Sequence, residues 1–167
     1  MSHSLDRTQS PQSDWQQILR DAVRDIGELS TLLELPLSAL ACPESSTQNF
    51  PLLVPRGYLS RIRIADPQDP LLLQVLPRAA ESERTEGFGD DPLEEIARSR
   101  SGVVQKYANR ALLITTGTCP VHCRYCFRRS FPYARENASR GDWRPALMRF
   151  ARSGKTKEII LSGGDPL

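Results

Sequence analysis

Two short apolar runs, Ala111-Leu112-Leu113-Ile114-Thr115-Thr116 and Glu158-Ile159-Ile160-Leu161, constrain this chain more than any other feature. Each is nearly continuous and rich in branched residues, the pattern of a strand buried on both faces. Between them Trp143, Pro145, Leu147, Met148, Phe150 and Ala151 follow helical spacing, with Asp142 as the expected cap and Ser153-Gly154 as the stop. Strand, helix and strand over roughly 50 residues predict a βαβ unit with parallel strands and a right-handed crossover. Two parallel strands and one helix cannot cover both faces of a sheet. The expectation is therefore the first part of a longer α/β protein.

The chain ahead of that unit reads differently. Residues 1–13 are polar and aperiodic, as in a disordered tail. Asp14 and Gln17 fit a capping box for a helix through Trp15, Ile18, Leu19, Ala22, Val23 and Ile26, interrupted at Gly27. A second short helix is expected from Glu28 to Leu35. Four prolines and Gly57 predict an irregular, docked linker over 36–57. Asp69-Pro70 and Asp91-Pro92 each join a cap to a first-turn proline, predicting two more short helices. Seven acids face Arg84 alone over 81–95, a run that reads as solvated surface. The expected organisation is a helical and irregular region over 14–105, then the start of the α/β part over 106–167.

A formal charge of +2 gives no global argument for nucleic acid or membrane. No apolar run approaches the ~20 residues of a spanning helix. The opening Met1-Ser2-His3-Ser4 lacks a signal peptide's apolar core, so a cytoplasmic protein is expected. Four cysteines then suggest metal or redox chemistry sooner than disulfides.

Three of them, Cys119, Cys123 and Cys126, form C-x3-C-x2-C in the loop after the first strand. Three thiolates so close in sequence can share one inorganic centre. A 4Fe-4S cluster normally takes four cysteines, so three would leave one iron open to a substrate or cofactor. Zinc would need a fourth ligand from His122 or the remote Cys42, and neither is well placed by sequence. A redox pair of Cys123 and Cys126 leaves Cys119 unexplained. Local charge suits an anionic centre: eight Arg and one Lys oppose Glu136 and Asp142 between residues 120 and 155, a surplus of +7.

C-x3-C-x-aromatic-C after one strand, with Gly163-Gly164-Asp165 after the next, resembles the radical S-adenosylmethionine (SAM) enzymes. The segments Lys106 to Leu113, Cys119 to Tyr133 and Ser162 to Leu167 resemble the lysine 2,3-aminomutase family within that group. Phe127-Arg128-Arg129-Ser130-Phe131-Pro132-Tyr133, with Asp69-Pro70-Leu71-Leu72 and Asp91-Pro92-Leu93-Glu94-Glu95, is similar to the bacterial branch that acts for translation elongation factor P. The likeness runs from about Trp15 onward and covers about half of the family's length.

The resemblance implies a partial (β/α) barrel with a 4Fe-4S cluster on Cys119, Cys123 and Cys126. It places Tyr125 against the SAM adenine, with Gly163, Gly164 and Asp165 receiving the SAM amino group. Pyridoxal phosphate (PLP) is implied as a further cofactor, its phosphate contacted by Lys106, Tyr107 and Arg110, while Arg128 pairs with the substrate carboxylate. The implied reaction turns L-α-lysine into (R)-β-lysine through a 5′-deoxyadenosyl radical. Implied partners are an electron donor such as a flavodoxin or ferredoxin, and a ligase that attaches β-lysine to elongation factor P. The PLP-bearing lysine belongs to the family's other half, so these residues alone are expected to be inactive. The alternatives are another radical SAM amino-acid 2,3-aminomutase, or a zinc module binding nucleic acid through Arg124, Arg128 and Arg129 with Tyr125, Phe127 and Phe131 stacking.

Overall fold

A mixed four-stranded sheet packs beside a helical region in the computed structural model, which describes residues 15–40, 50–136 and 143–166. The expected tail, the Asp14 and Asp142 caps, and Cys42 lie outside the described residues.

Helix α1 (Trp15–Arg20) is shorter than its periodicity suggests. It stops because Val23 pairs with Val54 in an antiparallel bridge, N–H to carbonyl at 2.8 and 2.9 Å. Asp25 then caps α2 (Ile26–Leu32), accepting from the Glu28 N–H at 2.8 Å. Gly27 therefore lies inside a helix rather than breaking one. The expected linker holds two helical turns, α3 (Leu37–Leu40) and α4 (Arg56–Leu59), and buries Leu40, Leu52 and Val54. Asp69 caps α5 (Pro70–Val75) as its sequence predicts, accepting from the Leu71 and Leu72 N–H groups. Twelve buried aliphatic residues from Val23 to Leu76 close one continuous core.

The second Asp-Pro pair does not open an α-helix. The Asp91 carboxylate accepts from the Glu95 and Ile96 N–H groups, and only a 3-10 turn (Ile96–Arg98) follows.

Strand β1 (Ser99–Arg100) turns through Ser101-Gly102, both at positive φ, into β2 (Val103–Tyr107). Positive φ at both central residues gives a hairpin the right twist for antiparallel strands. β2 pairs antiparallel with β3 (Arg110–Thr116), and β3 pairs parallel with β4 (Glu158–Gly163). The sheet thus begins at Ser99, and the expected boundary at 105/106 falls inside β2.

β3 is buried on both faces, as its apolar run predicts. Ala111 and Leu113 pack on Phe150 of α7 (Arg144–Ser153), while Ile114 meets Phe131 on the other side. Gly154 ends α7 in the left-handed conformation. β4 departs from expectation: Ile159 and Leu161 are 41% and 61% exposed. A single turn, α6 (Tyr133–Glu136), follows the cysteine loop, and its Glu136 accepts from Ser99 Oγ and the Gly102 N–H.

Candidate functional site

The chain leaves β3 at Thr116 and enters the cysteine loop. Cys119, Cys123 and Cys126 are free, half-buried thiols, and all three line one cleft of about 370 Å³ with Arg128, Tyr133 and Gly164. Burial pushes the Cys119 and Cys123 thiols up, and the neighbouring Cys126 adds to it. Among the described residues no three His, Cys, Asp or Glu side chains converge closely enough to hold one metal ion. A single zinc would need its ligands about 2.0–2.3 Å from one point. In a 4Fe-4S cluster each thiolate binds its own iron.

The middle of the loop rests on the helical region, while Thr118 and Arg128 at its two ends bond the end of β4. Val121 packs against the helical core, the His122 N–H donates to Leu53 O at 3.1 Å, and the Arg124 N–H donates to Gln74 O at 2.7 Å. His122 stacks on Phe50 at 4.8 Å and directs Nδ1 to Pro51 O at 2.9 Å.

Charge at the site is paired. Arg124 and Arg129 both meet Glu81, Arg129 Nη1 at 2.7 Å. Burial alone would raise the Glu81 carboxyl, but hydrogen bonds from Arg124, the Arg78 N–H and Arg129 hold it below its usual range. Arg128, 7% exposed, donates from Nε and Nη2 to the two Glu95 oxygens at 2.6 and 2.8 Å. Its Nη1 donates to Ser162 Oγ at 2.7 Å and Gly163 O at 3.3 Å, and its guanidinium lies 5.0 Å from the Phe127 ring centroid. The Glu95 hydrogen bonds hold that guanidinium charged against the opposing effect of burial.

Two expectations are corrected here. Three arginines of the basic surplus, Arg124, Arg128 and Arg129, are held by acids, and the acidic run is not all solvated, because Glu81 and Glu95 are their partners. Glu81 and Glu95 were missed as site residues; the one available signal was a block of acids facing a block of arginines later in the chain. The zinc and nucleic-acid reading loses its arginines to acids and Phe131 to burial at 7% exposure, while Tyr125 and Phe127 remain exposed.

Gly163 and Gly164 owe their identity to backbone crowding. A Cβ on Gly163, at φ +134°, would stand 2.1 Å from Thr116 O, and one on Gly164 2.3 Å from Thr118 O. The Gly164 and Asp165 N–H groups bond those same carbonyls at 2.8 and 2.9 Å. The Asp165 side chain is exposed, and Tyr125 is 71% exposed. Tyr133 donates to Gly163 O at 2.9 Å, and burial pushes its phenol up to about 12.

Lys106, Tyr107 and Arg110 are not brought to the cleft. They flank the β2–β3 hairpin at the opposite end of β3, about 20 Å from the loop at ~3.3 Å per residue. There Lys106 Nζ donates to Leu93 O at 3.3 Å and Arg110 pairs with Glu158. β3 thus separates the three residues expected at the PLP phosphate from the thiol cleft.

No family model matches the chain. Curated proteins do: across its whole length it is 42% identical to the L-lysine 2,3-aminomutase of Escherichia coli (strain K12), spanning 49% of that protein. The chain belongs to the lysine 2,3-aminomutase family. The lysine 2,3-aminomutase of Haemophilus influenzae is 40% identical over 93% of the chain and 46% of the relative. That of Clostridium subterminale is 27% identical over 93% and 38%. The chain spans about half the length, or less, of these relatives. Lysine 2,3-aminomutases are isomerases, and the mixed sheet leading from β3 into the thiol loop is consistent with the opening of a radical SAM partial barrel.

Proposed function

We infer that this chain carries the cluster and SAM end of an aminomutase that converts L-α-lysine into (R)-β-lysine for modification of elongation factor P. One observation carries the reading: three free thiols line a single cleft at the C-terminal end of β3, beside the glycine turn of β4. Functional sites of parallel α/β folds gather at that end of the strands.

In this reading Cys119, Cys123 and Cys126 each bind one iron and leave the fourth open. When bound, the cluster and SAM supply the electron transfer and hydrogen abstraction; the protein supplies aim and charge. Tyr125, exposed beside the last thiol, would stack on an adenine, and Asp165, exposed after the glycine turn, would meet an ammonium group. Arg128 lines the same cleft, with four of its five N–H donors committed to Glu95, Ser162 and Gly163. A substrate carboxylate would meet the fifth. PLP belongs to the reading through the family alone, because the residues expected at its phosphate stand away from the cleft.

The link to elongation factor P rests on the similarity of Phe127 to Tyr133 to the branch that serves it. The reading includes a flavodoxin or ferredoxin as electron donor, a β-lysine ligase acting next, and a cytoplasmic location where thiols stay reduced. No helix among the described residues is long and apolar enough to cross a membrane.

Anaerobic reconstitution tests the central point. The chain should bind about four irons and four sulfides and turn brown. Alanine at Cys119, Cys123 or Cys126 should abolish this, and Cys42→Ala should not. A full cluster in Cys123→Ala, or loss in Cys42→Ala, would overturn the ligand assignment.

A further inference from the structure

Two loop arginines end on one carboxylate contributed by a distant segment. Arg124 lies between Cys123 and Cys126, and Arg129 three residues beyond. Arg124, its side chain 7% exposed, gives Nε to Glu81 Oε1 at 2.9 Å, while Arg129 gives Nη1 to Oε2 at 2.7 Å. Both guanidiniums also face the Phe50 ring, at 4.9 and 5.5 Å. Arg124 completes the attachment by donating to Phe50 O at 2.8 Å. Glu81 is itself held in place, since Oε1 accepts from the Arg78 N–H at 3.0 Å across the 3-10 turn Ala79–Ser82.

Two guanidiniums so close on a short loop repel each other. A shared, largely desolvated carboxylate replaces that repulsion with a clamp, and the low local dielectric strengthens it. The clamp spans the segment bearing Cys126, and its far side is the helical region on which His122 and Arg124 already rest.

We propose that Glu81 is a positioning residue for the thiol loop, fixing Arg124 and Arg129 so that Cys123 and Cys126 face the cleft. The purpose of that placement rests on the cluster reading above; the placement itself does not.

Hydrogen exchange on the whole chain, without metal, tests it. In Glu81→Gln, amides of residues 119–131 should exchange at least tenfold faster, while those of α5 and of β2 and β3 keep their rates. Glu81→Asp, which retains the charge, should restore most of the protection. Unchanged loop exchange in Glu81→Gln would overturn the proposal. So would a uniform rise through α5 and the sheet, which would make Glu81 a general stabiliser. Iron uptake is then measured on the same proteins. An unloaded wild type sinks the cluster reading while exchange still decides the placement; full and equal loading of wild type and Glu81→Gln, with identical spectra, overturns the purpose given to the placement.

Discussion

The helical region and the sheet bury their apolar residues in different ways. The first gathers twelve aliphatic residues into one cluster, among them Val23, Leu29, Leu72 and Val54 at essentially zero exposure. The second divides a smaller set between two clusters, one per face of the sheet. Between the two regions runs the cysteine loop, which follows β3 in sequence but docks on the helical region through Val121, His122 and Arg124. The cysteine loop is thus held from both sides, by the helical region at its middle and by β4 through Thr118 and Arg128.

The largest effect should come from the buried pair that fastens the cysteine loop to the turn before β1. Glu95→Ala leaves the Arg128 guanidinium charged in a site where both side chains are under 10% exposed. Removing one member of such a pair typically costs about 3–5 kcal/mol. Urea unfolding should show that loss, and a change near zero would mean that water reaches Arg128 freely.

Core truncation should come next. Leu72→Ala, at a position with 0% exposure, should cost about 2–5 kcal/mol. Leu113→Ala, in the small cluster under α7, should cost less in the same assay. A larger loss for Leu113 would break the contrast between the two cores.

A smaller effect is expected at the α5 cap, and it depends on pH. Burial opposes the Asp69 charge, but the N–H groups of Arg63, Leu72 and Leu71 and the nearby Arg63 guanidinium outweigh it and lower the carboxyl's pKa. The folded state therefore binds this proton less readily than the unfolded chain does. Its stabilising contribution is complete above the unfolded value, near 3.9, and is lost as pH falls through the lower folded value. Asp69→Asn should flatten that part of the stability profile below about pH 4. A wild-type acid limb in Asp69→Asn would assign it to other carboxyls.

The smallest effect belongs to the exposed sheet face. Leu161→Gln, at 61% exposure, should change stability by no more than about 0.5 kcal/mol. A loss of several times that would mean that Leu161 is covered in solution.

Local signals in the sequence named β3, β4, α7, the Gly154 stop and the Asp69-Pro70 cap, because each is written within a few neighbouring residues. The β1–β2 hairpin escaped because its turn uses Ser101 at positive φ, a conformation that side chains other than Gly, Asn and Asp seldom adopt. The break after α1 escaped because its cause, the Val23–Val54 bridge, is a long-range pairing. The three thiols were readable from spacing alone. Glu81 and Glu95 were not, since their arginine partners lie 43 and 33 residues further on and charge patterning does not encode which acid meets which base.

The docking of the loop also bears on the order in which the molecule assembles. Its contacts to Pro51 and Phe50 span 71 and 74 residues, among the longest sequence separations in the hydrogen-bond network. Closing so long a stretch of chain has a large entropic cost until both ends have formed surfaces to meet. The three cysteines are therefore contiguous in the chain, yet their loop reaches its docked form only where residues 50–53 and Gln74 supply the surface that receives it. Docking of the loop and folding of those distant segments are in this sense coupled.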